Sequence, residues 1–574
     1  SGFQGGLKAM GNKLLFMQSN GGLCPWNKFT GLRAILSGPA GGVVGYAETC
    51  YDKRPSNKKS TLGFDMGGTS TDVSRFSGRY EHVFSNVVNE VHLTTPQLDI
   101  STVAAGGGSM LFWKNGMFVV GPQSAGAHPG PACYRKGGPL TITDANVFTG
   151  RLLPKHFPHI FGPNEDEPLD VERTRVLFEE LTTVINNELK SKMTPEDVAI
   201  GFLKVANEAM SRPIRTLTEG KGYNTADHNL AVFGGAGGQH SCAVARVLNI
   251  ENVLIHKYSS LLSAYGISLA DVVVEKQTPI SIVFNQENLE TIKTKLDDLD
   301  KVVEIEASEQ NVGNSPISTE LYLNMKYLGT DTCLMTLKPE VGWDFKSQFI
   351  SQHQQEFGFT LEREVIAEDA RVRKIIRSND GNKLNPFEES EYVVKTNAPQ
   401  PLESTKVYFE NMGYLDSNIY KLGSLSTGTM ITGPSIIIDD TQTILIEPDC
   451  EAVVLSDCVM IKLSNTKSTK LSTTIVDPIQ LSVFGHRFMS IAEQMGITLQ
   501  LTSISTNIKE RLDFSCALFN SDGKLLANAP HIPGHLGSMF LAVEKQLGIW
   551  KGQLKKGDVV FTNAHTTGGT HLPE

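Results

Sequence analysis

The chain is 574 residues long, 40% hydrophobic, and carries 52 basic against 62 acidic side chains for a net charge of −10. That length accommodates several domains of roughly 150 residues each, and the acidic balance argues against a nucleic-acid or anionic-membrane surface. Its eight cysteines are scattered without a CxxC pair, which argues against a disulfide scaffold or a zinc ribbon and fits a reducing cytosol. No apolar run approaches the roughly 18 residues of a membrane helix, and the N-terminus has neither an initiator Met nor a signal-peptide core.

In chain order, Leu14 to Met17 reads as a strand, and Ser37-Gly-Pro-Ala-Gly-Gly42 leads into a helix from Val43 to about Tyr51. Those glycines either pack the helix tightly or touch a nucleotide. The stretch Thr61-Leu-Gly-Phe-Asp-Met-Gly-Gly-Thr-Ser-Thr-Asp72 reads as strand, loop, strand, since apolar positions alternate on both sides of the glycines. It lacks the following helix and the Lys-Ser/Thr pair that a Walker loop needs. What remains is a hairpin that cradles a polyphosphate. In it, the amides of Gly67 and Gly68 and the hydroxyls of Thr69, Ser70 and Thr71 face phosphate oxygens, and Asp65 lies near a metal or its waters. The plainer reading is a Gly-Gly turn with no ligand.

Asn115-Gly116 marks a short hairpin. His128 and Cys133 lie in a Pro/Gly-rich loop, and with no paired base Cys133 reads as a buried structural thiol. Asp170 caps a helix with an apolar stripe of Leu177, Leu181, Val184, Ile185 and Leu189. Thr194-Pro-Glu-Asp197 starts a second helix, buried through Val198, Phe202, Val205, Ala209, Ile214 and Leu217, with Pro213 as an expected kink. An apolar strand, Asn229 to Phe233, then delivers Gly234-Gly235-Ala236-Gly237-Gly238 to a helix from His240 to Leu248. A strand-to-helix turn of this kind brings backbone amides close to a ligand, and its spacing is not that of a dinucleotide fingerprint. The two loops together predict a nucleotide gripped from both ends. From about Ile280 to Leu463 strands are expected to dominate, Asn379 to Thr405 reads as linker-like, and Ser464 to Thr474 reads as a polar connection to a last unit.

The segments Met17 to Gly22, Ser37 to Val43, Phe64 to Asp72, Gly121 to Gly126, Pro129 to Cys133, Thr143 to Asn146 and Phe233 to Gly238 together resemble the hydantoinase A part of the hydantoinase/5-oxoprolinase family. Gly150 to Pro154 and Phe161 to Asp166 resemble its eukaryotic branch. Asp477-Pro478, Glu493 to Gly496, Asn507 to Ser515, His531 to Gly537 and Gly568 to Glu574 resemble the opening of the hydantoinase B part. The resemblance implies an α/β fold. An ATPase domain like those of actin, heat-shock-70 and sugar kinases would occupy 1–279, a β-rich accessory domain 280–463, a linker 464–475 and the start of a hydantoinase B-like domain 476–574. It also implies an internal piece of a longer polypeptide, since the family's earlier DxGGT turn is absent here.

The activity implied is ATP-dependent hydrolysis of 5-oxo-L-proline to L-glutamate, with release of ADP and phosphate, as in the γ-glutamyl cycle of glutathione metabolism. The resemblance implies ATP and Mg2+, allows K+, and places Gly107 of the Ala104 to Ser109 glycine turn at the cleft. Asp65 is the expected catalytic carboxylate, while Asp72 is either a second base or a turn cap. A second divalent ion, Mn2+ or Zn2+ if not Mg2+, is expected on His571 and Glu574, with His531, His535 and Asp513 as further candidates. Taken alone, His531 and His535 read as ordinary backbone-bonded histidines. No nucleic-acid or membrane partner is expected, and the full-length protein is expected to be a homodimer. The alternatives are an ATP-dependent hydantoinase, an acetone-carboxylase-like subunit, or a heat-shock-70-like clamp. The metal-type histidines argue against the clamp.

Overall fold

A computed structural model describes residues 14–54, 59–84, 86–88, 91–93, 95–310, 315–378, 385–464, 477–509, 511–529, 531–564 and 566. The polar connection at 464–474 lies, apart from its first residue, outside the described residues, as do His571 and Glu574. The chain forms two compact units. One comprises Ser1–Thr278, Lys293–Leu321 and Arg371–Ile479, the other Pro279–Ile292, Tyr322–Ala370 and Gln480–Glu574.

The first unit is built on a nine-stranded sheet. At its centre the strands Ser60–Met66, His228–Phe233 and Asn252–His256 run parallel, with Val232 beside Phe64 on one side and Ile255 on the other. They read as nearly continuous apolar runs because both faces are covered; Leu62, Phe64, Leu230 and Val253 are fully buried. Thr71–Phe76 and Ile100–Val103 extend the sheet antiparallel on one side. On the other side it is extended by Cys458–Leu463, Cys450–Val454, Thr429–Thr432 and Thr396–Asn397. Strands expected to form a separate accessory domain therefore complete the sheet that carries both glycine loops.

Glycines inside helices set the packing on one face. The helix expected from Val43 begins at Ser37 and runs through the glycines to Thr49. Packing against Leu262–Leu269 explains this. A Cβ on Gly41 would lie 2.5 Å from Ser263 O, and one on Gly266 only 1.8 Å from Gly41 O. Close backbone approach outweighs the roughly 1 kcal/mol that glycine costs a helix.

Val171–Leu189 starts at Asp170, whose carboxylate accepts the Arg173 N–H at 2.9 Å. Its buried face is Thr174, Phe178, Thr182 and Ile185, whereas Val184 is 54% exposed. The stripe is thus rotated from the expected one, because hydroxyls that bond back to the helix, such as Thr182 Oγ1 to Phe178 O at 2.7 Å, can be buried. Pro195–Leu217 has the expected capping box, in which Thr194 and Asp197 exchange bonds of 3.1 Å, and it continues through Pro213 as one helix.

The stretch expected to be mostly strand contains the helices Leu289–Gln310 and Phe345–Phe357. The linker-like stretch holds the helix Pro386–Tyr392, capped by Asn385 and anchored by buried Phe387. In the second unit, Tyr327, Phe349 and His353 form an aromatic cluster with ring centroids 4.9 to 5.8 Å apart.

Candidate nucleotide site

Both glycine loops leave the carboxyl ends of adjacent parallel strands, where Asp65 pairs in register with Phe233. Loops that are more than 160 positions apart in sequence therefore lie side by side, at the carboxyl end of the parallel strands where ligands of α/β folds gather. Gly234 has a φ of +80°, and a Cβ there would lie 2.4 Å from Met66 O and 2.5 Å from Asp65 Oδ1. Only glycine permits the second loop to press against the first. The Ala236 N–H then donates to Met66 O at 3.1 Å.

The hairpin closes through Gly67 N–H to Ser70 O at 3.0 Å. Gly68, Thr69 and Gly235 are exposed, and among the described residues the amides of Gly68, Thr69, Ser70 and Gly235 have no hydrogen-bond acceptor. A row of free amides beside a carboxylate pair is chemistry that fits phosphate oxygens and a divalent ion. Behind this tip lies the glycine turn at 106–108. The Gly107 and Gly108 amides donate to Gly67 O at 3.0 Å and Gly68 O at 2.6 Å, and Gly107 O accepts from Thr143 N and Oγ1. A Cβ on Gly106 would lie 2.8 Å from both Gly67 O and Ser70 N.

The structure thus leaves the amides of Gly68, Thr69, Ser70 and Gly235 open, turns those of Gly67, Gly234 and Ala236, expected to face a ligand, onto Ser70 O, Ser259 O and Met66 O, and sets the other expected contacts behind them. Thr71 is buried with its hydroxyl on Ala105 O at 2.6 Å. Gly107 has its amide and carbonyl engaged, Gly237 packs on Val232, and Gly238 packs on Thr443 O.

Asp65 and Asp72 sit directly opposite each other across the hairpin, a pairing that places Cβ atoms about 5 Å apart. Burial, and next the Asp72 charge, push the Asp65 carboxyl up to about 6 against a bond from Ser263. Burial also raises Asp72, opposed by Thr102, whose Oγ1 donates to Asp72 Oδ1 at 2.5 Å. Two carboxylates that burial disfavours as a charged pair are where a cation is most stabilising.

Two residues beside the carboxylates carry no signal in the sequence. Thr102 and Ser263 meet the carboxylates only through strand register and helix placement. Asp144 is fully buried and accepts from the amides of Ala132, Cys133 and Thr141 at 2.8 to 3.1 Å, tying the Cys133 loop to the helix that holds Gly107. Cys133 itself is buried with its thiol pushed up by burial and by Asp144, which suits the structural role read for it. His240 closes the second loop. Its Nδ1 meets Asn207 Oδ1 at 2.7 Å and its Nε2 meets Asn146 Nδ2 at 3.0 Å, and burial pushes it down to about 3, so it stays neutral.

The histidines near the C-terminus meet different partners. His531 Nδ1 accepts the Cys516 N–H at 3.3 Å, and its ring packs on Phe514 at 4.6 Å. His535 Nε2 lies 3.8 Å from Asp513 Oδ1, and its Nδ1 contacts Ser515 Oγ at 3.1 Å. Among the described residues no three His, Cys, Asp or Glu side chains form a metal-binding group.

Residues 1–276 match the family described as hydantoinase/oxoprolinase, 373–466 its C-terminal domain, and 477–574 hydantoinase B/oxoprolinase. The chain is 52% identical to a 5-oxoprolinase of Saccharomyces cerevisiae over 97% of its own length and 44% of the relative's. It is 50% identical to a 5-oxoprolinase of Dictyostelium discoideum over 97% of its length and 45% of the relative's. It therefore spans somewhat under half the length of these relatives. The crystal structure of an ATP-dependent caprolactamase from Pseudomonas jessenii superposes with a TM-score of 0.68 at 25% identity, over 79% of this chain and 65% of that one. The chain belongs to the hydantoinase/oxoprolinase family.

Proposed function

We propose that the whole protein opens the ring of 5-oxo-L-proline, consuming ATP and two waters and yielding L-glutamate, ADP and phosphate. The observation that carries the substrate is identity of about half of all residues to 5-oxoprolinases along 97% of the chain. A five-membered lactam is a resonance-stabilised amide, and ATP with its divalent ion supplies the phosphoryl group that makes the carbonyl oxygen a leaving group. The chain's own part is positioning and charge. The amides of Gly68, Thr69, Ser70 and Gly235 would bind phosphate oxygens, Asp65 would hold the divalent ion or its waters, and Ser263 and Thr102 would orient the two carboxylates. Asp72, held by Thr102, acts as a second carboxylate beside Asp65. The eight free thiols support a reducing compartment, the cytosol, and from the family resemblance we assign the protein to glutathione metabolism and to a homodimeric state.

Water attack on the activated carbon falls to the hydantoinase B part, for which His571 and Glu574 are the proposed divalent-ion ligands, with His531, His535 and Asp513 as further candidates. In the full-length protein His571→Ala should keep phosphate release, lose glutamate formation and lose one bound divalent ion. Unchanged metal content with coupled turnover would remove His571 from the site. The overall reading is tested by the substrate dependence of ADP formation. 5-Oxo-L-proline should stimulate it, whereas hydantoin and caprolactam should not.

A further inference from the structure

At the opposite end of the parallel strands lies a second candidate site. From Asn229 to Gly234 the chain spans five residues of strand, so roughly 17 Å separates this end from the glycine loops. Here strand register lines up one polar row across the sheet. Thr61 pairs with Asn229, Asn252 with Lys462, Lys462 with Glu451, and Glu451 with Thr432. Asn252 Nδ2 donates to Asn229 Oδ1 at 3.2 Å, which joins the two halves of the row. Two residues further along the same face, Met460, Val453 and Met430 form an apolar row, as the two-residue period of a strand requires. Arg54 and Phe387 line the groove as well, with the guanidinium 5.7 Å from the ring centroid. The groove has a volume of about 510 Å3, within the range of small-molecule sites.

Two observations point to an occupant. Asn229 lines the groove and is only 1% exposed, yet its Nδ2 has no hydrogen-bond partner. A buried donor left unpaired costs about 1–3 kcal/mol, which an acceptor in the groove would recover. The second observation is the charge count. Arg54 bridges Asp52 and Glu391, and Lys59 and Lys462 both meet Glu251. That leaves, among the described lining residues, Lys395 and Glu451 without an ion pair, one of each sign. A polyanion such as a nucleotide would find one free cation and one free carboxylate, so charge disfavours it.

We propose that this groove binds a short zwitterionic peptide, its ammonium on Glu451, its carboxylate on Lys395, a backbone carbonyl on Asn229 Nδ2 and an apolar side chain on the Met430, Val453 and Met460 floor. The volume exceeds what one amino acid fills, and the mixed charges match two free termini. The test is calorimetric titration of the full-length protein with the dipeptide glycyl-L-methionine, and with its N-acetylated, C-amidated form. Glu451→Gln and Lys395→Gln change exposed side chains, so a melting curve should show the fold intact. The free dipeptide should bind with a Kd below about 1 mM, and blocking its termini or making either substitution should weaken binding about tenfold or more. No binding to the wild-type protein, equal binding of the blocked peptide, or binding that neither substitution changes would overturn the proposal. None of these readouts depends on ATP turnover, so the proposal stands or falls apart from the 5-oxoprolinase reading.

Discussion

Asp65→Asn should reduce ADP formation by the full-length protein at least a hundredfold while making the ligand-free protein more stable at pH 8. The first effect follows because a carboxylate positioned for a metal or its waters contributes on the scale of an oxyanion-hole donor, 10²–10³ in rate. The second follows from proton linkage. The folded-state carboxyl is pushed up to about 6 by burial and by Asp72, whereas the unfolded group titrates near 3.9. Because the native state binds the proton more tightly, the carboxylate costs stability above pH 6, and that cost disappears as pH falls through this window toward 4. Asparagine removes a penalty on the order of 2 kcal/mol at pH 8, and its advantage should hold to about pH 7 and shrink as pH falls through 6 toward 4. Thermal melts across that range check the sign. Magnesium with ADP should stabilise the wild type and leave the variant unmoved. A variant that melts below the wild type at pH 8, or turns over ATP normally, would take Asp65 out of the site.

Gly266→Ala should prevent accumulation of folded protein. Its added methyl would sit 1.8 Å from Gly41 O and 2.5 Å from Gly45 N. Both are backbone atoms of a buried helix, so neither can swing aside as a side chain would. The helices Ser37–Thr49 and Leu262–Leu269 would have to separate, taking Ser263 away from Asp65. We expect a loss above about 4 kcal/mol, in the range that marks overpacking of a core. Gly68→Ala is the control, since nothing lies within 4 Å of its added methyl, and it should fold normally. Soluble Gly266→Ala with a wild-type melting curve would show that the two helices are not held as described.

Much of the local structure of the candidate nucleotide site was legible in the sequence because its signals are local. Asp65 through Thr69 sits between two alternating apolar runs, and Gly234 through Gly238 follows an apolar strand directly; hairpin and strand-to-helix turn both follow from that. The neighbours of the carboxylates were not legible. Ser263 and Thr102 reach them through helix packing and strand register, which no local pattern encodes. Likewise the glycines of Ser37–Thr49 look like loop residues by propensity, and only the facing helix makes them helical. Leu289–Gln310 is a different case. Its buried Ile292, Leu296, Val303 and Ala307 recur at helical spacing, so the signal was present among the strand-like segments around it. Sheet membership was invisible, since Cys458–Leu463 pairs with Asn252–His256 across some 200 residues.

The most direct test of the central claim is the coupling ratio. Full-length wild-type protein, given 5-oxo-L-proline, ATP and Mg2+, should form L-glutamate and phosphate in a ratio of about one to one, with phosphate falling to background when the lactam is omitted. Phosphate release at the same rate without 5-oxo-L-proline, or glutamate formation without ATP, would contradict the account.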